Sequence, residues 1–340
     1  MNLSDDRYAQ YALVKEMMET PKVVKDFDLS RTAAIAEKIK AAGSLLYTGE
    51  GSSRIFPAKN SIRRVFTEGI TLGVHTEGSR QAAMYDLSET AVFCASNSGR
   101  TKEVVLLAKQ LKAEGHGHVY GLTANEDTPL EEVCDDTLVL KCGWENAVAA
   151  TKSVAEQALC YETILHHING SLNTIDLHAL ADKMEQALTT DIDSSIVKTA
   201  IEAPTIYFAG LNDGVAEELT LKTNEITRKK SDFLEGTYAV HGIEEVMSPE
   251  DIVFVIDPIE DEIPKFQEVL EQGVGLTVVA IADRDTPFPT IKVPKAGALS
   301  TYVYLCAGWN LLVEIGLAAG IDLDKPERAR KVGNEVTPEN

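Results

Sequence analysis

The sequence predicts an α/β protein in which two doubly wound, flavodoxin-like parallel sheets follow one another. Three observations carry this expectation. Short apolar, β-favouring runs alternate with stretches of helical spacing, the pattern of parallel sheets with crossover helices. The alternation occurs twice along the chain, in the same order. A length of 340 residues suits about two domains.

Residues 6–40 read as helical and precede the first sheet. Residues 44–53, Ser-Leu-Leu-Tyr-Thr-Gly-Glu-Gly-Ser-Ser, read as a buried strand entering a Gly/Ser turn. A second strand follows at 90–95, an amphipathic helix at 101–114, a third strand at 119–123 and a short apolar run at 137–140. Apolar residues at helical spacing over 151–167 indicate a core-facing helix, and 168–195 reads as a polar connection. The second half repeats the order with strands within 204–214, 251–257 and 276–282, a helix over 263–273, and a last short run, Ile291-Lys-Val. The expected divisions are a helical segment at 1–32, a first domain at 33–170, a second at 195–330 and a tail at 331–340.

Composition bounds the function. Hydrophobic residues make up 44% and charged residues 25%, as in a globular protein. No apolar run reaches the roughly 18 residues of a membrane span, so no membrane partner is expected. Met1-Asn-Leu-Ser-Asp-Asp-Arg lacks the basic-then-apolar order of a signal peptide. Five cysteines without a CxxC pair read as free thiols in a reducing cytoplasm. A net charge of −21 excludes nucleic acid, whose phosphates need a basic footprint. The histidines show no metal-ligand spacing, so no metal and no other cofactor is expected.

The most informative segment ends the strand at 90–95. Ser96-Asn97-Ser98-Gly99-Arg100-Thr101 is a small, hydroxyl-rich turn leading into a helix. Ser96, Ser98 and Thr101 offer hydroxyls, and Gly99 allows close backbone approach. Asn97 and Gly99 add backbone donors, and the helix start favours negative charge. A phosphate group on a small molecule fits there; an ordinary hydroxyl N-cap is the plainer reading. Because the overall field repels anions, such a site must rest on local donors. The counterpart in the second half, Asp257-Pro-Ile-Glu-Asp-Glu, is acidic, so one cradle is expected per chain, in the first half.

Five motifs in order resemble the double sugar-isomerase (SIS) domain family over about 33–335. This family includes the isomerase half of glucosamine-6-phosphate synthase, aminosugar-phosphate deaminases and fructosamine-6-phosphate deglycases. Gly51-Ser52-Ser53 matches the turn after the first strand. Ser96–Thr101 matches the Ser-x-Ser-Gly-x-Thr phosphate loop. Glu145-Asn-Ala-Val148-Ala149-Ala150-Thr151-Lys152 matches a Glu-x-x-Val-Ala-Ser-Thr-Lys segment, with Ala150 where the family has serine. Asn224-Glu225-Ile226 precedes His241-Gly242 at the family's separation of sixteen residues, with Val240 and Ile243 replacing a basic residue and a proline. Asp322-Leu-Asp324-Lys-Pro326 and Lys331 match the tail.

The resemblance implies a cytoplasmic enzyme acting on a sugar phosphate, without a glutaminase domain. It implies Glu225 as proton-transfer base, His241 in ring opening and Lys331 at the sugar carbonyl. Ser53, Ser96, Asn97, Ser98, Gly99 and Thr101 would hold the phosphate. Gly51, Ser52, Val148 and Ala150 would line the substrate. In relatives the histidine comes from the neighbouring subunit, which implies a homodimer with shared active sites. Three readings follow: an aminosugar-phosphate isomerase or deaminase, a fructosamine-6-phosphate deglycase, and a non-catalytic phosphosugar sensor. Phe56-Pro57-Ala58-Lys59, similar to some deglycases, favours the second. Retention of Glu225 and His241, with only about 30 residues before the first sheet, speaks against the third.

Overall fold

The computed structural model describes residues 1–331 and 333–336; the rest of the expected tail, 332 and 337–340, lies outside the described residues. Each half carries one five-stranded sheet, parallel throughout. The first is built from β1 (Ser44–Thr48), β2 (Gly73–Glu77), β3 (Ala91–Ala95), β4 (Val119–Thr123) and β5 (Asp136–Val139), in the order β2-β1-β3-β4-β5. The second is built from β6 (Thr205–Gly210), β7 (Lys230–Glu235), β8 (Ile252–Ile256), β9 (Thr277–Ala282) and β10 (Thr290–Lys292), in the order β7-β6-β8-β9-β10. The two orders are the same, 2-1-3-4-5, as in flavodoxin-like sheets. The expected fold class is present in both halves.

Central strands are continuous apolar runs because helices cover both sheet faces. Every residue of β3, β4 and β8 is buried. In the first half Val92, Cys94, Val104, Leu107, Leu111 and Val119 share one core. In the second, Val253, Val255, Leu270, Val278 and Ala280 do the same.

Two strands are absent from the sequence reading, β2 and β7. Both are edge strands. Their sequences, Gly-Val-His-Thr-Glu and Lys-Ser-Asp-Phe-Leu-Glu, are polar and only partly buried. Charged edges deter pairing with other chains, which is why an apolar-run criterion passes over them. The polar connection expected at 168–195 is a second correction. It contains the helix Leu177–Thr189. Leu180, Ala181, Met184, Ala187 and Leu188 are buried there, at helical spacing.

A third correction concerns apolar length. The helix Gly297–Ala318 is long and apolar enough to cross a membrane, contrary to the expectation that no segment is. It is the core helix of its unit: Tyr302, Leu305, Trp309, Leu312 and Ile315 are all buried. A helix apolar all round is what a doubly covered core requires.

The chain divides into two compact units whose boundaries do not follow the sequence order. The β1–β5 unit comprises Lys22–Glu145, Ala150–Leu177 and the described residues from Ala329 onward. The β6–β10 unit comprises Met1–Pro21, Asn146–Ala149 and His178–Arg328. In this second unit Asp324 accepts hydrogen bonds from the N–H groups of Ala12 and Leu13, at 2.7 and 2.9 Å. The tail carboxylate thereby caps the helix Ala12–Lys25, whose first N–H groups have no partner within the helix.

Candidate active site

In a 2-1-3-4-5 sheet, the loops after the first and third strands diverge at the switch point and leave a crevice. In the β1–β5 unit those loops are Gly49–Ser53 and Ser96–Thr101. They approach closely. A Cβ at Gly49 would lie 2.9 Å from the Ala95 carbonyl oxygen and 3.2 Å from Ser53 Cβ. The fold thus brings Ser53 beside the hydroxyl-rich turn.

The turn itself is tightly made. Ser96 is buried, and its Oγ lies 2.8 Å from Thr101 Oγ1 and 3.4 Å from Ser98 Oγ. Ser96 Oγ accepts from Thr101 N at 3.3 Å, and Ser98 Oγ from Arg100 N at 3.1 Å. Gly99 has φ +63°, and a Cβ there would meet Thr128 at 2.3 Å, so only glycine fits. The Asn97 carbonyl accepts from Ala124 N at 2.9 Å and Asn125 Nδ2 at 2.8 Å, tying the turn to the end of β4. Three hydroxyls thus converge at the start of the twelve-residue helix Lys102–Ala113. Hydroxyls and a helix start in this arrangement are chemically suited to an anion. Gly51 and Ser52 belong to the neighbouring 3₁₀ turn, Gly51–Ser53.

Ser98→Ala is expected to weaken binding of a sugar phosphate by about 1–3 kcal/mol, the scale of a lost hydrogen bond to a charged group. Calorimetric titration of phosphorylated against unphosphorylated sugar measures it. Equal affinity of the native protein for both would remove the cradle.

The tail closes on this same turn. Lys102 N donates to Asn334 O at 3.0 Å, and Val336 N donates to Arg100 O at 2.9 Å. Thr101 and Glu335 form an antiparallel bridge. Asn334 Nδ2 reaches Glu103 Oε1 at 2.7 Å, and Val336 packs on the core of the unit. This strap brings Lys331 to Glu145, with 3.6 Å between Nζ and Oε2. Ala150, half-buried, belongs to this unit, whereas Val148 belongs to the other.

Glu225 and His241 lie in the β6–β10 unit. The helix Val215–Lys222 widens into a π-turn at Thr223–Thr227, which carries Glu225. Single π-turns recur at functional sites because they re-aim a side chain. Here the turn is held by Arg228, at φ +59°, whose guanidinium donates to the carbonyls of Glu225, Ile226 and Asp322. Lys222, missed in the sequence reading, is fully buried and donates to Glu225 Oε2 at 2.7 Å. Glu218 stands on its other side at 3.3 Å. Burial alone would lower the Lys222 pKa, but Glu225 and Glu218 outweigh it and push it up to about 12. The two carboxylates thus favour the ammonium form. Its sequence signal is a lysine one helical turn before a glutamate and one turn after another. His241 is exposed on a turn between two short 3₁₀ segments, Tyr238–Val240 and Ile243–Val246.

The equivalent crevice of the second sheet is built differently. Asp257, at the end of β8, adopts φ +45° and pairs with Arg284, which also reaches the Pro258 carbonyl. Three carboxylates follow at Glu260–Glu262, where the first sheet has hydroxyls. Among the described residues no group of three or more His, Cys, Asp or Glu could hold a metal ion.

Comparison with known proteins agrees with the fold. Residues 38–167 match the SIS domain family. The chain is 24% identical to a glutamine–fructose-6-phosphate aminotransferase (isomerizing) from Aeropyrum pernix over 367 residues, covering 94% of this chain and 56% of that protein. The namesake from Clostridium tetani is 24% identical over 368 residues, covering 96% and 59%. The chain thus spans rather more than half the length of these relatives. Among solved structures, the C-terminal domain of glucosamine-fructose-6-phosphate aminotransferase from Francisella tularensis superposes with a TM-score of 0.78 at 17% identity, covering 93% of this chain and 98% of that one. Glucosamine-6-phosphate deaminase from Thermotoga maritima gives 0.75 at 21% identity, covering 96% and 99%. Tagatose-6-phosphate ketose/aldose isomerase from Escherichia coli gives 0.76 at 16% identity, covering 95% and 98%.

Proposed function

We propose, from the match of residues 38–167 to the SIS domain family, that the chain is a phosphosugar isomerase or deaminase acting on an aminosugar 6-phosphate. The observation that carries this reading is the contact of Glu225 with the buried Lys222 ammonium, 2.7 Å apart on a π-turn. Ketose–aldose interconversion needs a base that takes a proton from one carbon and returns it to the next. It also needs cationic or hydrogen-bonding groups for the oxygen that gains charge meanwhile. Glu225 supplies the base. Lys222 holds its carboxylate in place. Lys331 serves as the cation at the carbonyl end, and His241 opens the ring. Ser53, Ser96, Ser98 and Thr101, with Asn97 and Gly99, hold the phosphate; Gly51, Ser52, Val148 and Ala150 line the sugar. In deamination, the proton moved from C2 to C1 leaves an imine at C2; water adds to that carbon and ammonia leaves, giving a ketose phosphate.

The deglycase reading shares the phosphate turn and differs in the amine. Phe56, Pro57 and Ala58, which suggest it in the sequence, are buried in the first turn of the helix Ile55–Glu68, where they serve packing. Ammonia release from glucosamine 6-phosphate, assayed beside fructosamine 6-phosphates, decides between the two. The expected result is ammonia from the former. Binding of a sugar phosphate without turnover of any of them would support a sensor instead.

The active form is a homodimer in which His241 completes the partner's site. A Glu225→Gln chain mixed with a His241→Ala chain, each inactive alone, should regain up to about a quarter of native activity by statistical pairing of subunits. Full activity from a verified native monomer would contradict the shared site.

A further inference from the structure

Glu145 has no role in the chemistry above, yet it is a buried and heavily hydrogen-bonded carboxylate of the β1–β5 unit. It is only 6% exposed. Its Oε1 accepts from Thr151 N at 2.8 Å and Ser153 N at 3.3 Å. It therefore occupies the anion position at the start of the eighteen-residue helix Lys152–Asn169. Its Oε2 accepts from Ser153 Oγ at 2.6 Å and faces Lys331 Nζ at 3.6 Å. Ser153 Oγ in turn accepts from Asn97 Nδ2 at 2.6 Å. Asn97 donates to Ser153 and Ser153 to Glu145, so a short chain of hydrogen bonds runs from the Ser96–Thr101 turn to a carboxylate that also faces the Lys331 ammonium; such chains polarise in common.

The strap gives Lys331 a second anchor. Asn334 and Val336 are fixed to the backbone of Arg100–Lys102, only a few residues along. A lysine on a flexible four-carbon stem gains direction from two such restraints. The 3.6 Å contact is longer than a full charge-assisted bond of about 2.7–2.9 Å.

We propose that Glu145 is the positioning residue for Lys331, and that Ser153 and Asn97 set its place relative to the phosphate turn. The proposal rests on the reading of Lys331 as the cation at the carbonyl end. A helix cap alone would couple Glu145 to the stability of the helix, not to Lys331.

The test is a double-mutant cycle with Glu145→Gln and Lys331→Ala, reading kcat and KM on glucosamine 6-phosphate or on the fructosamine 6-phosphate that is turned over. Glu145→Gln should lower kcat roughly 10- to 100-fold, the cost of a misplaced group, with KM within about twofold. The double variant should be no slower than Lys331→Ala alone. Additive losses would reduce Glu145 to a cap and overturn the proposal. Native kcat for Lys331→Ala is a different result: it would remove the role of Lys331 and this proposal with it. Where Glu145→Gln does not fold, Glu145→Asp keeps the capping charge but withdraws it from Lys331, and the same cycle applies. A measurement without turnover complements it. Acetylation of Lys331 by acetic anhydride, followed by mass spectrometry with Lys102 as internal reference, should be several-fold faster in the Glu145 variant. An unchanged ratio would also overturn the proposal.

Discussion

Glu225→Gln is expected to lower turnover by about 10²–10⁴-fold, the usual cost of a lost general base, with sugar-phosphate binding little changed. The amide keeps the shape and can still face Lys222, but it cannot accept a proton. The side chain is a quarter exposed, so the replacement fits without repacking. Because Ser53, Ser96, Ser98 and Thr101, the proposed phosphate ligands, belong to the other unit, the substitution leaves them intact. During native turnover, solvent deuterium should enter the carbon next to the carbonyl; with the variant it should not. Normal turnover by Glu225→Gln would remove the assignment and strengthen the sensor reading.

Lys222→Met should destabilise the protein by about 3–5 kcal/mol, the cost of leaving a buried charge without its partner. Lys222 is fully buried and Glu218 beside it is 0% exposed. Methionine fills much of the same volume, so the loss is electrostatic rather than a cavity. Adding Glu218→Gln removes the orphaned charge and should recover much of the loss. Urea denaturation of the single and double variants measures both effects. A loss below about 1 kcal/mol for Lys222→Met would mean that Glu218 is compensated some other way. The same substitution should slow catalysis even at temperatures where the variant is folded, because Glu225 loses its 2.7 Å contact.

The sheets are legible in the sequence wherever burial is two-sided. β3, β4, β8 and β9 are apolar runs that stop at turns, and each lies close to its expected place. β2 and β7 escape notice because an edge strand needs neither apolar face complete, so Lys230, Asp232 and Glu235 cost nothing there. The helix Leu177–Thr189 escapes for another reason: its apolar stripe is sparse and flanked by polar residues, which composition mistakes for a linker. For the candidate site, the turn at Ser96–Thr101 is visible because its hydroxyls are consecutive. Lys222 and Glu145 are harder to see. Their contacts depend on a π-turn and on a tail that returns from the far end of the chain. The glutamates flanking Lys222 lie within one short window, whereas no local window joins Glu145 to Lys331.

That returning tail has a consequence for how the molecule is made. A ribosome releases the β1–β5 sheet early, and its core can collapse while the second sheet is still being translated. Yet Asn334 and Val336, which clasp Arg100–Lys102, emerge only after all of β6–β10. At about 5–20 residues per second, the roughly 195 residues between Val139 and Asn334 delay the clasp by on the order of ten seconds or more. During that interval the Ser96–Thr101 turn has its hydroxyls but not its closing strand. A ligand that binds the turn early would meet a half-finished site, open on the side where Lys331 later arrives. The strand that closes the Ser96–Thr101 turn is therefore made well after the sheet that carries the turn.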